Sequence, residues 1–137
     1  MHVTLTITGT QTGEDNESMT ITTRAEGEYF ERGNSTYLLY DEKDPDDDSV
    51  TKNMLKLSGR VLSLSKKGAV NSNMTWEEGK NIVSDYSSAF GRLALSVETG
   101  RLEISNSEGE LHLEVHYRLS MEDTFLSDNS LTIHVQK

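Results

Sequence analysis

Glu110-Leu111-His112-Leu113-Glu114-Val115-His116-Tyr117-Arg118-Leu119-Ser120-Met121 is the stretch that decides the fold. Leu111, Leu113, Val115, Tyr117, Leu119 and Met121 occupy every second position, with polar side chains between most of them. Successive side chains of an extended strand point to opposite faces, so this spacing buries one face and wets the other. A helix would need its apolar residues three and four apart, and that period is absent here.

The same rhythm continues in both directions from this run. Downstream, Glu122-Asp123 reads as a turn into a last strand ending in Leu131, Ile133 and Val135. Upstream, Asn106 to Gly109 is a turn, preceded by Leu93, Leu95, Val97 and Thr99 in strict alternation. Leu102 and Ile104 carry on in the opposite parity, and one extra residue near Gly100 restores the inward phase, as a glycine bulge does. Ile82, Ser84 and Tyr86 alternate before a connection, Ser87 to Gly91, that is expected to hold a short helical turn. Val70, Ser72, Met74 and Trp76 share one face. Val50 to Leu57 and Arg60 to Lys67 are two strands joined at Ser58-Gly59. At the other end His2 to Gln11 is a strand with Val3, Leu5 and Ile7 on one face. Met19, Ile21, Thr23 and Ala25 define the next, which Gly27 interrupts at an expected bulge or bend. Arg32-Gly33-Asn34-Ser35 is a hairpin signal. Thr36 to Tyr40 has apolar residues in both parities, with Leu38, Tyr40, Val61 and Val83 reading as off-phase.

The reading is an all-β, antiparallel, up-and-down barrel of about eight to ten strands in one domain spanning residues 1–137. Short connections pair each strand with its sequence neighbour, and a meander this long curls and closes, which removes its exposed edges.

Composition excludes several function classes. The chain has 137 residues, no cysteine, 23 acidic and 13 basic side chains and a formal charge of −10. Cysteine catalysis, disulfides and thiolate zinc sites are ruled out. The acidic balance disfavours phosphate backbones and anionic lipids, so neither nucleic acid nor membrane is expected as a partner. With no leader-like N-terminal run, a cytoplasmic location is expected. Asp44, Asp46 and Asp48 alternate like the opening of a calcium loop. However, Ser49 stands where glycine is needed and Leu55 where glutamate is needed, so Asp44 to Asp48 reads as a solvated, mobile acidic loop. His112, Glu114 and His116 share a face, and His134 is expected opposite His112. They lie on the polar side of their strands, so the reading is a wet outer face, without metal or cofactor. Ser84-Asp85-Tyr86-Ser87 has no histidine near it in sequence and no nucleophile turn.

Several short motifs, in order, are shared with a known family. Gly27-Glu28-Tyr29-Phe30 followed by Tyr37-Leu38-Leu39-Tyr40-Asp41-Glu42 resembles a pattern in the bacterial YwiB-like family, whose function is unknown. Lys67 to Met74, Glu78-Gly79-Lys80 and Phe90-Gly91-Arg92-Leu93-Ala94-Leu95 with Thr99 resemble its later segments. The family is grouped with the calycins, so the resemblance implies a lipocalin-like barrel. It brings no activity or catalytic residue.

A barrel of this kind offers an apolar interior with a few polar anchors. Tyr29, Tyr37, Met74, Trp76 and Tyr86 are the expected wall of a cavity for a small, partly apolar molecule, with Arg92 as the polar anchor. Arg60, Lys66 and Arg101 are further cations in strand regions. No catalytic residue is expected. Two other classes stay open: a protein-interaction module or homodimer acting through its outer surface, and a metal-dependent enzyme using the histidines.

Overall fold

The computed structural model describes all residues from Met1 to Lys137. It contains ten strands: β1 (His2–Thr12), β2 (Ser18–Arg32), β3 (Ser35–Lys43), β4 (Val50–Ser58), β5 (Val61–Lys67), β6 (Asn71–Glu77), β7 (Asn81–Ser88), β8 (Gly91–Asn106), β9 (Glu110–Met121) and β10 (Thr124–Gln136). Every strand pairs antiparallel with its sequence neighbours, and β1 closes on β10, so the sheet has no free edge.

Register fixes which side chains enter the barrel. Leu5 lies opposite Val135 on one side and Ala25 on the other, and Ile133 lies opposite Ile7 and Leu113. Following such rows around the wall places Val3, Leu38, Leu55, Leu62, Trp76, Val97, Leu102 and Leu111 inside, all buried in one core cluster. The outer face of β1 and β2 is a hydroxyl ladder. Thr8 meets Thr22 at 3.3 Å, Thr10 meets Thr20 at 3.0 Å and Thr12 meets Ser18 at 2.8 Å. Such cross-strand pairs, with the buried opposite face, hold one register against a slip.

The irregularities have local causes. The ladder between β8 and β9 shifts between Thr99 and Arg101, which brings Leu102 and Ile104 back inside as the parity change requires. A second shift, between Phe125 and Ser127, does the same for β10 and leaves no glycine signal. Gly27 corrects the expectation of a bulge: it pairs in register with Val3 and Tyr40. The expected helical turn after Ser87 is also absent, because β7 and β8 stay paired out to Ser88 and Gly91. Leu38 and Tyr40 are not off-phase. They are core residues, 2% and 5% exposed, because the hairpin register sets Tyr40 opposite Gly27.

One seam is thin. β6 and β7 share only three registered pairs, from Asn71–Ser87 to Asn73–Asp85. Beyond them the turn after β6 turns to β8: the Gly79 N–H donates to the Thr99 carbonyl at 2.8 Å, and the Thr99 N–H donates to the Lys80 carbonyl at 3.1 Å.

Candidate functional site

The two halves of the barrel interior differ because the inward side chains change size along the strands. Toward the end holding Met1 and Lys137, the inward positions are Val3, Leu5, Tyr29, Leu38, Leu111 and Val135, all buried. Toward the other end, β1 places Gly9 and Gln11 inside, β2 places Thr23 and β6 places Ser72, as their register partners require. A Cβ on Gly9 would meet nothing nearer than Leu131 Cδ1 at 3.9 Å, so room is left there. The result is a filled half and a hollow half.

The hollow is a cavity of about 260 Å³. Ile7, Ile21, Leu64, Met74 and Leu131 form apolar wall, Trp76 closes it toward the core, and Tyr40, Glu42, Lys66 and Tyr117 supply polar groups. The Lys66 ammonium donates to Glu42 Oε1 at 2.7 Å, with both side chains about one-third exposed (34% and 32%). Trp76 packs against Tyr117 with ring centroids 5.4 Å apart and planes tilted by 59°. Its indole Nε1 is buried with no hydrogen-bond partner, as are Ser84 Oγ, Thr99 Oγ1 and Asn53 Oδ1. A buried donor left unpaired forfeits a hydrogen bond that water would have given it.

Burial shifts the two cavity phenols. Tyr117 is pushed up to about 12 by desolvation. Desolvation, reinforced by the Glu42 charge, raises Tyr40 as well. Both rings are therefore neutral at ordinary pH. An unfolded tyrosine ionises near 10.0, so between there and about 12 the unfolded chain releases a proton that folded Tyr117 retains. Stability from this source is intact below pH 10, falls as pH rises, and is gone above the folded value near 12. Urea midpoints measured across this range are expected to decline, with phenolate absorbance appearing as the protein unfolds. Full phenolate formation in a still-folded protein near pH 10 would contradict this.

Of the residues expected to line the cavity, Met74 and Trp76 do so. The others are placed elsewhere. Tyr29 is in the filled half, where its hydroxyl donates to Glu31 at 3.0 Å and the Lys137 ammonium stands 5.0 Å from its ring centroid. Tyr37 is on the outer face, stacked on Phe30 at 5.0 Å, since the β2–β3 register puts both outside. Tyr86 faces inward opposite Ser72 but lies toward the strand end, 37% exposed and outside the cavity lining. Arg92 is exposed and stands opposite Ser87, on the outer side of the wall. Tyr40 and Glu42 were missed. Counting across the Arg32–Ser35 hairpin would have found them, because it sets Tyr40 against Gly27.

The histidines lie outside. His112 and His134 are opposite each other with ring centroids 6.2 Å apart, and His116 stands 3.5 Å from Glu114. No group of three His, Asp or Glu side chains converges on a position that would hold a metal ion. The Asp44–Ser49 turn is closed by its own bonds: Asp44 accepts the Asp46 N–H at 2.8 Å and Asp47 accepts the Ser49 N–H at 2.9 Å.

The family model described as a domain of unknown function, DUF1934, matches residues 5–133. The uncharacterized beta-barrel protein YwiB of Bacillus subtilis (strain 168) is 25% identical over 120 residues, which cover 88% of this chain and 83% of that protein. The crystal structure of the ywiB protein from Bacillus subtilis has the same fold, with a TM-score of 0.85 at 23% identity, covering 98% of this chain and 90% of that one.

Proposed function

The chain belongs to the DUF1934 family, and from that premise we propose that it is a small-molecule-binding barrel whose ligand enters the hollow half and rests on Trp76. The observation that carries the reading is the cavity of about 260 Å³ with a mostly apolar wall, closed below by an indole whose N–H has no partner. Apolar concavities with few polar groups are the usual form of a binding site for small organic molecules. A ligand's apolar part would cover Ile7, Ile21 and Leu131. The barrel is read as a carrier or sensor and not as an enzyme, in keeping with lipocalin-like barrels.

Trp76 is the only tryptophan, so its emission reports on the cavity alone. Fractionated small-molecule extracts are expected to shift or quench that emission in a saturable way. Gly9→Leu, which fills the hollow from a position with free space around it, is expected to abolish the response while the circular dichroism of the barrel is unchanged. A wild-type protein whose emission no fraction alters, or a plugged variant that responds equally, would remove the proposal.

A further inference from the structure

We propose that the ligand of the hollow half is an apolar cation, whose apolar body lies in the cavity while its charged end stays at the open mouth among acidic turns. This rests on the carrier reading and adds the chemical class of the ligand.

The mouth is apolar and uncovered. In an up-and-down barrel the turns alternate between the two ends, so the hollow end carries the turns after β1, β3, β5, β7 and β9. Ile21 lines the cavity and is 61% exposed, so the cavity reaches solvent at this end. Met19 has the same inward parity one step nearer the turn, and it is exposed too. On the far side of the opening Tyr86 and Leu93 stand opposite each other with the inward parity of Ser72. Both are exposed, as is Phe90 in the turn that joins their strands. Apolar side chains gathered at one place and rimmed by polar ones mark a binding surface.

Charge then selects the occupant. The five turns of the hollow end, residues 13–17, 44–49, 68–70, 89–90 and 122–123, contain nine acidic side chains and no basic one. The four turns of the filled end contain two acids, Glu78 and Glu108, and two bases, Arg60 and Lys80. The acidic excess of the chain is therefore weighted toward the opening. The bases on the strand ends there do not cancel it. Lys43 stands 3.6 Å from Asp48, and Lys66 is held by Glu42 inside the mouth. Lys67 and Arg92 lie on the outer face, opposite Lys52 and Ser87. A concave site with low-dielectric walls and a rim of one sign concentrates ligands of the other sign. The same rim opposes other occupants. A second copy docked mouth to mouth would bring two acidic rims together, and a fatty carboxylate or an anionic lipid surface would be repelled. A quaternary or primary ammonium on an apolar body meets both features, with its chain against Ile21 and Met74 and its charge among the turn carboxylates.

The test is calorimetric titration with octyltrimethylammonium, octanol and octanoate, which share one alkyl chain and differ in the charge of the head. At low salt the cation is expected to bind about tenfold more tightly than the alcohol, and the carboxylate more weakly than the alcohol. Salt at about 0.5 M is expected to bring the three together. The quadruple variant Glu14→Gln/Asp46→Asn/Glu122→Gln/Asp123→Asn changes exposed turn residues whose side chains take part in no ion pair. It is expected to lose most of the tenfold advantage and to bind octanol as the wild type does. Gly9→Leu is expected to abolish binding of all three. If the three bind alike, if octanoate binds best, if the quadruple variant keeps the preference, or if the cation still binds the Gly9→Leu protein, the cation assignment is overturned and the carrier reading stands. If none of the three binds the wild type, the carrier reading falls and takes the assignment with it.

Discussion

Replacing Trp76 with alanine is expected to lower the stability of the barrel by about 4 kcal/mol, the middle of the range for truncating a large buried aromatic. The side chain is 1% exposed and belongs to the central core cluster, so most of its burial is lost at once. The tilted contact with Tyr117 goes with it, which adds roughly 1 kcal/mol of aromatic pairing to the area effect. The space created adjoins a hollow that already exists, so neighbours cannot collapse into it from both sides. For a domain whose total stability is on the order of 10 kcal/mol, this is a large share. Trp76→Phe separates packing from polarity. It keeps most of the volume and removes an N–H that has no partner, so its cost is expected near ~1 kcal/mol. Urea unfolding followed by circular dichroism measures both. A phenylalanine variant as unstable as the alanine one would mean that the indole N–H does have a partner.

Gly27→Ala is expected to cost about 3 kcal/mol, a large effect for one added methyl group. A Cβ there would lie 2.6 Å from the Leu39 carbonyl oxygen, 2.8 Å from Leu5 Cδ1 and 3.3 Å from Tyr40 Cβ. The nearest of these is backbone, and it cannot retreat without parting β2 from β3. Leu5 is fully buried in the core cluster. The small gain from stiffening the unfolded chain, ~0.4–1 kcal/mol, does not offset this overlap. Gly109→Ala is the matching control, since nothing lies within 4 Å of a Cβ at that turn. Equal thermal midpoints for the two variants would refute the close-approach account of Gly27.

The glycines show where the sequence could be read and where it could not. The parity change between Thr99 and Leu102 identifies the Gly100 bulge without a structure, because only an extra residue returns Leu102 to the interior. The same logic was available at Phe125 to Ser127, but no glycine marked the place. Gly27 marks a close approach of Leu5 and Leu39 and not a bend. An isolated glycine in a strand marks either a bend or a close approach, and only the position of Leu5 and Leu39 chooses between them.

The residues expected to line the cavity divide in the same way. Met74 and Trp76 share a parity with Ser72, and that parity alone sends them inside. Tyr29 shares the inward parity too, yet it sits in the filled half, because distance along the strand decides which half a side chain enters. Tyr37 and Tyr40 lie three apart in one strand, so one must point out. The register with β2 makes it Tyr37.

The sequence by itself determined an antiparallel meander of about ten strands, because a two-residue apolar period on a chain with short turns makes a sheet with one dry face, and a sheet this long curls and closes to remove its edges. Only the tertiary structure decided that this barrel is half full. Whether an interior is packed or hollow depends on which side chains meet across the lumen, and those meetings join residues as distant as Gly9, Leu64 and Leu131 that no local pattern connects.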